Sequence, residues 1–113
     1  MLDRGAGAIL LSTGLSGLRP MPMLGSLAPA SAAMRMYGLT LHDSVAADGV
    51  FVGTLTIGGL VARGEIHQMF SSRPGGDALE TLDPDAMADT AWQMVTARGP
   101  AEHVFITPSL ATV

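Results

Sequence analysis

Cysteine and lysine are missing from this sequence of 113 residues, and aromatic side chains are scarce. The absence of cysteine excludes disulfides, thiolate metal sites and cysteine nucleophiles. All six basic residues are arginine, only 14% of the residues are charged, and the formal net charge is −4. A chain with this charge would be repelled by phosphate backbones, so we expect no nucleic-acid partner.

Long hydrophobic runs and a leader segment are missing as well. Glycine, proline or polar residues interrupt every uncharged stretch well before the roughly 18 apolar positions that a membrane span needs. The N-terminus has no basic segment followed by an apolar core. Because 48% of the residues are hydrophobic, the composition predicts one folded domain over residues 1–113. We therefore expect a cytoplasmic protein with no membrane partner.

Residues 24–61 form the organising stretch of the chain, and they predict a long helix, a glycine turn and a strand. The strand, VFVGTLTI over residues 50–57, is rich in β-branched residues and uncharged, which is typical of a strand covered on both faces. A similar run, AILLST over residues 8–13, precedes the helix, so the order is that of a parallel βαβ unit. The apolar positions predicted to form the buried stripe of the helix are Leu24, Leu27, Ala28, Ala32, Tyr37, Leu39, Leu41 and Val45.

The flanking segments complete an α/β pattern. Residues 1–4 resemble the last turn of a helix, an unusual opening for a natural domain, because Arg4 and Gly5 supply a C-terminal cation and a stop. Asp83-Pro84 predicts the start of a helix that ends at Arg98-Gly99-Pro100. Its predicted apolar stripe is Met87, Ala88, Ala91, Met94 and Val95.

The stretch from 58 to 82 is the least regular part of the sequence. Residues 64–70 alternate as a short strand would, and residues 71–77, SSRPGGD, predict a turn or a mobile loop. A third strand is expected over residues 102–107, followed by a tail over 108–113. The predicted fold is therefore a three-layer, Rossmann-like α/β arrangement with a partial parallel sheet.

Several segments together resemble the C-terminal half of a short-chain dehydrogenase/reductase. They are RGAGAILLSTG at 4–14, Ser16-Gly17, an Ala32-Ala33 helix, ADGVFV at 47–52 and the Gly58-Gly59 loop. The resemblance implies that the first strand is the fifth of a seven-stranded sheet, and that the long helix packs against its counterpart in a dimer. It also implies NAD or NADP as the cofactor, with the Gly58-Gly59 loop beside the nicotinamide.

The family's catalytic residues are not matched. The gapless register places Gly14 at the serine, Leu27 at the tyrosine and Ser31 at the lysine of the family, and none of these can act as the general acid or base. Tyr37 is the only tyrosine, and Leu41 stands where its lysine would be. The glycine-rich turn that holds the pyrophosphate in the family is absent too. The prediction is that no catalytic residue is present and that the chain alone does not bind the cofactor.

Four residues are nevertheless candidates for cofactor binding: Ser12, Thr13, Gly58 and Gly59. The two hydroxyls, with that of Ser16, follow or end a parallel strand, where open α/β sheets bind ligands. One of them could replace the missing serine as a hydrogen-bond donor, or all could satisfy loop amides. Ser31 is expected to be a small inward-facing residue.

Metal sites are not expected. His42 and Asp43 are adjacent on a helix and cannot face one another, so a solvated helix surface is favoured. Glu65 and His67 would share one face of a strand and could supply two metal ligands, which is too few without a third from elsewhere.

Methionine and tryptophan indicate packing or interface surfaces. Met21, Met23, Met34 and Met36 suit core or interface filling, or a lid over an apolar substrate. Trp92 is expected to be half-buried on the last long helix, with an interface as the alternative.

Three functions remain open. The chain is a degenerate oxidoreductase-like protein without hydride transfer, or an oligomerisation or interaction module, or a piece of a longer protein of that kind. Because the strand at 8–13 would be an exposed apolar edge, we expect a homo-oligomer formed through that edge or through the central helix.

Overall fold

The computed structural model describes residues 1–72 and 80–111 of the chain. Its strands are β1 (Gly7–Gly14), β2 (Val50–Gly58), β3 (Leu60–Val61), β4 (Thr81–Leu82) and β5 (Glu102–Ile106). Its α-helices are α1 (Leu27–Val45), α2 (Glu65–Ser71), α3 (Pro84–Ala97) and α4 (Pro108–Ala111). Most of the turn predicted over residues 71–77 lies outside the described residues.

The main sheet has three parallel strands in the order β1-β2-β5, and β3 pairs with β4 in a second, two-stranded sheet. The βαβ unit is therefore confirmed, with β1 pairing in register along its whole length from Gly7 opposite Val50 to Gly14 opposite Ile57. β2 is the central strand and is buried on both faces, as its uncharged β-branched sequence predicts. The described core is centred on β2, whose Val52, Thr54 and Thr56 are fully buried.

The ends of the elements follow their sequence signals. The Gly5 amide donates to the Leu2 carbonyl and the Ala6 amide to the Met1 carbonyl, and Gly5 has a φ of +63°. This is the hydrogen-bond pattern that closes the C-terminus of a helix, so the interpretation of the first residues as a last helical turn agrees with the structure. At α3, the Asp83 carboxylate accepts from the Asp85 amide at 3.0 Å, as the Asp-Pro start predicts.

The buried stripe predicted for α1 is only partly right. Its half-buried members are Leu24, Ala28, Leu39, Leu41 and Val45, whereas Ala32 is exposed. Leu27 and Tyr37 are 60% and 61% exposed, and the one buried residue of α1 is Gly38. The side of α1 that lies on the sheet includes a group of four residues, here called the polar flank, which consists of Ser31, Arg35, Gly38 and His42. The exposed side that lies along β1, about one third of a turn away, is here called the apolar flank and consists of Leu27, Ala30, Ala33, Met34 and Tyr37.

The polar flank lies on the sheet because its members fit what the sheet presents. A Cβ on Gly38 would lie 2.4 Å from Thr54 Oγ1 and 3.2 Å from Leu11 Cδ1, so only glycine allows this close approach over β1 and β2. His42 Nδ1 lies 2.7 Å from the Val52 carbonyl oxygen and donates to it. The expectation that His42 is part of a solvated surface is therefore wrong, although Asp43 is exposed.

Three smaller predictions are corrected as well. Residues 65–71 form a helix and not a strand, because Ile66, Met69 and Phe70 recur at helical spacings of three and four. Residues 108–111 form a helical turn within the predicted tail. Trp92 is 67% exposed and not half-buried, since α3 presents Met94, which is 3% exposed, to the core instead.

Candidate functional site

The C-terminal ends of β1 and β2 lie side by side at one end of the sheet, and most of the predicted site residues lie there. A Cβ on Gly14 would lie 3.4 Å from Ser31 Oγ and 3.7 Å from Ser16 Oγ. The structure thus brings together the two positions that the resemblance assigns to the family's serine and lysine, which here are the hydrogen of Gly14 and the hydroxyl of Ser31. Leu27, at the tyrosine position, is the first residue of α1 and is exposed.

Ser12 and Thr13 do not form one site, because adjacent residues of a strand point to opposite faces of the sheet. Ser12 is exposed, whereas Thr13 is buried beneath α1 at 8% exposure. The Thr13 Oγ1 and Thr56 Oγ1 atoms lie 3.2 Å apart across the two paired strands. Their assignment to cofactor binding stays a prediction.

Thr13 belongs to a chain of polar contacts that sequence reasoning missed. Thr56 Oγ1 donates to Glu102 Oε2 at 2.8 Å, and Arg35 donates to both carboxylate oxygens, from Nε at 2.6 Å and from Nη2 at 2.8 Å. A carboxylate only accepts hydrogen bonds, so the proton of Thr56 is used at Glu102 and Thr13 must donate to Thr56. Thr13 consequently has no proton left for a ligand oxygen, which removes it as a replacement for the missing serine.

The hydrogen bonds of this network stabilise the charged forms of Arg35 and Glu102. Hydrogen bonds from Arg35 lower the pKa of Glu102 below its ordinary value, the bond from Thr56 acts in the same direction, and partial burial opposes them. The same pair raises the pKa of Arg35. The side chains of Arg35 and Glu102 are 23% and 18% exposed, so the ion pair joins α1 to β5 in a partly buried position. The two residues are 67 positions apart, so no local sequence pattern indicates the ion pair. This distance explains why the pair could not be predicted from the sequence.

Gly58 is the last residue of β2 and Gly59 follows it. The backbone of each glycine lies so close to a neighbouring side chain that a Cβ atom would not fit. A Cβ on Gly58 would lie 2.9 Å from Leu15 Cδ2, and one on Gly59 would lie 2.6 Å from Thr107 Cγ2. The Thr107 amide donates to the Gly58 carbonyl at 3.0 Å. The glycines thus bring β2 against its neighbours and leave Gly59 at the surface of two cavities.

These two cavities are the candidate ligand site. The first, of about 500 Å³, lies between the end of β2 and α2 and is mostly apolar, with Glu65 and His67 as its charged or titratable members. The second, of about 730 Å³, lies on the other side of Gly59 and contains Glu80, whose carboxylate accepts from the Ser109 amide at 3.2 Å. Both cavities contain a carboxylate, and neither is lined by an arginine of the described chain.

The resemblance implies NAD or NADP, and the described charged side chains beside Gly59 do not suit the phosphates of such a cofactor. A dinucleotide pyrophosphate is normally held by helix N-terminal amides and favoured by positive charge. Around Gly59 the described charges are the carboxylates of Glu65 and Glu80. These two carboxylates would repel an anionic phosphate.

The structure does not place Glu65 and His67 on one face, as the interpretation of them as a pair of metal ligands requires. Both residues lie on α2, where a separation of two positions turns the side chains roughly 200° apart. His67 Nδ1 instead accepts from the Arg63 amide at 3.2 Å and so closes the first turn of the helix locally. Within residues 1–72 and 80–111, no three potential ligands lie close enough together to hold a metal ion.

None of the helices described in residues 1–72 and 80–111 has the length and hydropathy of a membrane span.

No protein-family model and no curated protein matches this sequence. Solved structures, in contrast, match the fold closely. An oxidoreductase of the short-chain dehydrogenase/reductase family from Burkholderia thailandensis matches with a TM-score of 0.70 and 22% identity, over 98% of this chain and 47% of its own. L-Sorbose reductase from Gluconobacter frateurii, solved with NADPH and L-sorbose, matches with a TM-score of 0.68 and 18% identity, over 95% of this chain and 48% of its own.

A third match is a short-chain oxidoreductase from Pseudomonas aeruginosa PAO1 that contains an atypical catalytic center. Its TM-score is 0.71 and its identity 19%, over 91% of this chain and 47% of its own. The chain therefore spans about half the length of the solved structures that it matches. Identity at this level establishes the fold alone, and the fold of this chain is that of about one half of a short-chain dehydrogenase/reductase.

Proposed function

We propose that this chain is a degenerate, short-chain dehydrogenase-like half-domain that alone neither binds NAD or NADP nor transfers hydride. The observation that carries the proposal is the sheet edge where Gly14 and Ser31 meet without a tyrosine or lysine beside them. Tyr37 lies on the apolar flank and lines a groove next to β1, not the cavities beside Gly59. Loss of a general acid or base typically lowers a rate by roughly 10² to 10⁴, and here the phosphate-binding part is missing too.

The test is a titration of the purified chain with NADH and NADPH, combined with an assay of ketone reduction. L-Sorbose reductase, whose structure holds NADPH, serves as the positive control. We expect no saturable binding at micromolar cofactor and no turnover. Saturable binding that is weakened by Ser12→Ala would show that the predicted cofactor residues form a site, and the proposal would then be wrong.

An interaction module is the second candidate, favoured by the edge of β1 that no other strand of residues 1–72 and 80–111 pairs with. The strand carries no charge and no proline, and 39% of Leu10 is exposed on it. Natural proteins normally block or cover an edge of this kind because it can pair with another strand.

The half-length match to the solved structures also supports the third alternative, that the chain is part of a longer protein whose other residues complete the site.

A further inference from the structure

The cavity between Gly59 and α4, here called the α4 cavity, has a wall that is fixed at both ends. At one end, the amide and the hydroxyl of Ser109 donate to the Glu80 carboxylate. At the other end, the Arg19 guanidinium donates to the Leu110 carbonyl. A helix of four residues is not stable by itself, so these long-range contacts hold α4 in place. The α4 cavity is therefore preformed, which lowers the entropy cost of binding a ligand.

The α4 cavity combines an apolar wall with one charged side chain. Most of its lining is apolar, with surface from Met23, Leu60 and Leu110, and Glu80 is the charged member. Its volume of about 730 Å³ falls within the roughly 300–1,000 Å³ of small-molecule sites. A ligand that matches this lining has a hydrocarbon part and a cationic group.

One oxygen of the Glu80 carboxylate is occupied and the other is open. Both hydrogen bonds from Ser109 reach Oε2, and none of the residues 1–72 and 80–111 donates to Oε1. Glu80 also belongs to neither of the two ion pairs found among those residues. Because Ser109 is neutral, it orients the carboxylate without cancelling its charge. A cationic nitrogen that donates to Oε1 would form a charge-assisted hydrogen bond, which is stronger than a neutral one.

We infer that the α4 cavity binds an alkylammonium ion. Its N–H group donates to Glu80 Oε1, and its hydrocarbon part packs against the apolar wall. A guanidinium ion suits the site less well, because it normally donates to both oxygens of a carboxylate and Oε2 already accepts from Ser109. A metal ion needs several ligands, and the described residues contain no group of three that could supply them. The inference goes beyond the proposed function, which concerns only NAD, NADP and hydride transfer.

Two sources could supply the ammonium group. The chain has no lysine, so its own side chains do not supply it. A free amine and a lysine side chain of another protein both carry the group on a hydrocarbon chain. The tests therefore compare hexylammonium, which stands for a free amine, with Nα-acetyl-lysine amide, which stands for a lysine side chain. The tighter binder identifies the source, and the contact with Glu80 is the same for both.

The first test is calorimetric titration of the intact chain with the two ammonium compounds and with hexanol, which has a hydroxyl in place of the ammonium group. We expect saturable binding of an ammonium compound in the millimolar range or below. Hexanol should bind roughly 10-fold more weakly or worse than hexylammonium, because a hydrogen bond to a charged group is lost. Equal affinity for hexylammonium and hexanol, or no binding of either ammonium compound, would overturn the inference.

Two variants that each remove one negative charge test the role of Glu80. Glu80→Gln keeps an acceptor for Ser109, so the chain should stay folded by circular dichroism and bind ammonium compounds roughly 10-fold more weakly. Asp89→Asn is the matched control, because Asp89 is exposed on α3 and does not line the cavity. It should leave the affinity unchanged. Equal affinities of Glu80→Gln and the wild type, or an equal loss in Asp89→Asn, would contradict the contact with Glu80.

Met23 gives a readout of the cavity that does not depend on the folding of any Glu80 variant. It lines the cavity and is 89% exposed, whereas Met36 is an exposed methionine outside it. In NMR spectra of the chain with isotope-labelled methionine methyl groups, the ammonium compound should shift the Met23 signal, assigned with Met23→Leu, and leave the Met36 signal in place. Binding that does not shift the Met23 signal would show that the amine binds elsewhere, and the inference would be wrong.

Titration of the same samples with NADH separates this inference from the proposed function. A chain that binds both hexylammonium and NADH contradicts only the proposed function. A chain that binds neither of the two ammonium compounds nor NADH contradicts only this inference.

Discussion

The two flanks of α1 depart from the usual pattern of a surface helix, because polar side chains lie on the sheet and large apolar side chains are exposed. The polar flank faces the sheet and makes a hydrogen bond, an ion pair and a close backbone approach there. The apolar flank, one third of a turn away, is exposed beside a free strand edge. Burial in this helix is therefore determined by partners on particular strands as well as by the hydrophobicity of a stripe. The exposed apolar side indicates a surface intended for contact.

The largest expected effect in this comparison comes from breaking the ion pair under the polar flank. Glu102→Gln leaves Arg35 without its carboxylate, and should lower the free energy of unfolding by about 2 kcal/mol. That value lies between the 0–1 kcal/mol of exposed pairs and the 3–5 kcal/mol of buried ones, because the side chains are 23% and 18% exposed. Urea denaturation measures the change.

The pH dependence of that stability serves as the control for Glu102→Gln. Because the folded pKa of Glu102 is lowered, its contribution is complete above the unfolded value of about 4.5 and is lost as the pH falls through the folded value. The wild type should therefore lose part of its stability on acidification below pH 4.5, and the variant should lose less. Equal losses in both proteins would show that the pair contributes nothing.

A smaller effect, of opposite sign, is expected at Thr54. Its Oγ1 atom is buried and has no hydrogen-bond partner among the described residues. Thr54→Val keeps the shape and removes the unsatisfied hydroxyl, so it should stabilise the fold by about 1 kcal/mol in thermal or urea unfolding. Thr56→Val is the matched control and should destabilise it, because Thr56 donates to Glu102. If Thr54→Val destabilises as much as Thr56→Val, then Thr54 has a partner that the static structure does not show.

The sequence alone predicts what depends on local rules. The central strand, the Asp83-Pro84 helix start and the glycine stop after Arg4 all follow from residues that are neighbours in the chain. The polar flank could not be predicted, because Arg35 is paired with Glu102 and Gly38 lies against Thr54 and Leu11. Such pairs join positions that are distant in sequence and leave no periodic signal.

The candidate site was predicted in part. Its position at the strand ends and the mismatch at Gly14, Leu27 and Ser31 followed from the resemblance. The direction of the hydrogen bonds from Thr13 to Glu102 and the carboxylates beside Gly59 required the structure. The misassignment of residues 64–70 had a detectable cause, since seven residues are too few to separate a period of two from one of 3.6.

Amide hydrogen exchange of β1 and β2, followed at low and high protein concentration, tests the contrast between the two flanks most directly. The β2 amides of residues 54–57 should be protected at every concentration, because β2 pairs there with both β1 and β5. The β1 amides that point away from β2 should become protected only in concentrated samples, when the homo-oligomer expected from the sequence covers them. Protection of those β1 amides that does not change with concentration would contradict the account, because the free edge and the apolar flank would then not be a surface for a second copy.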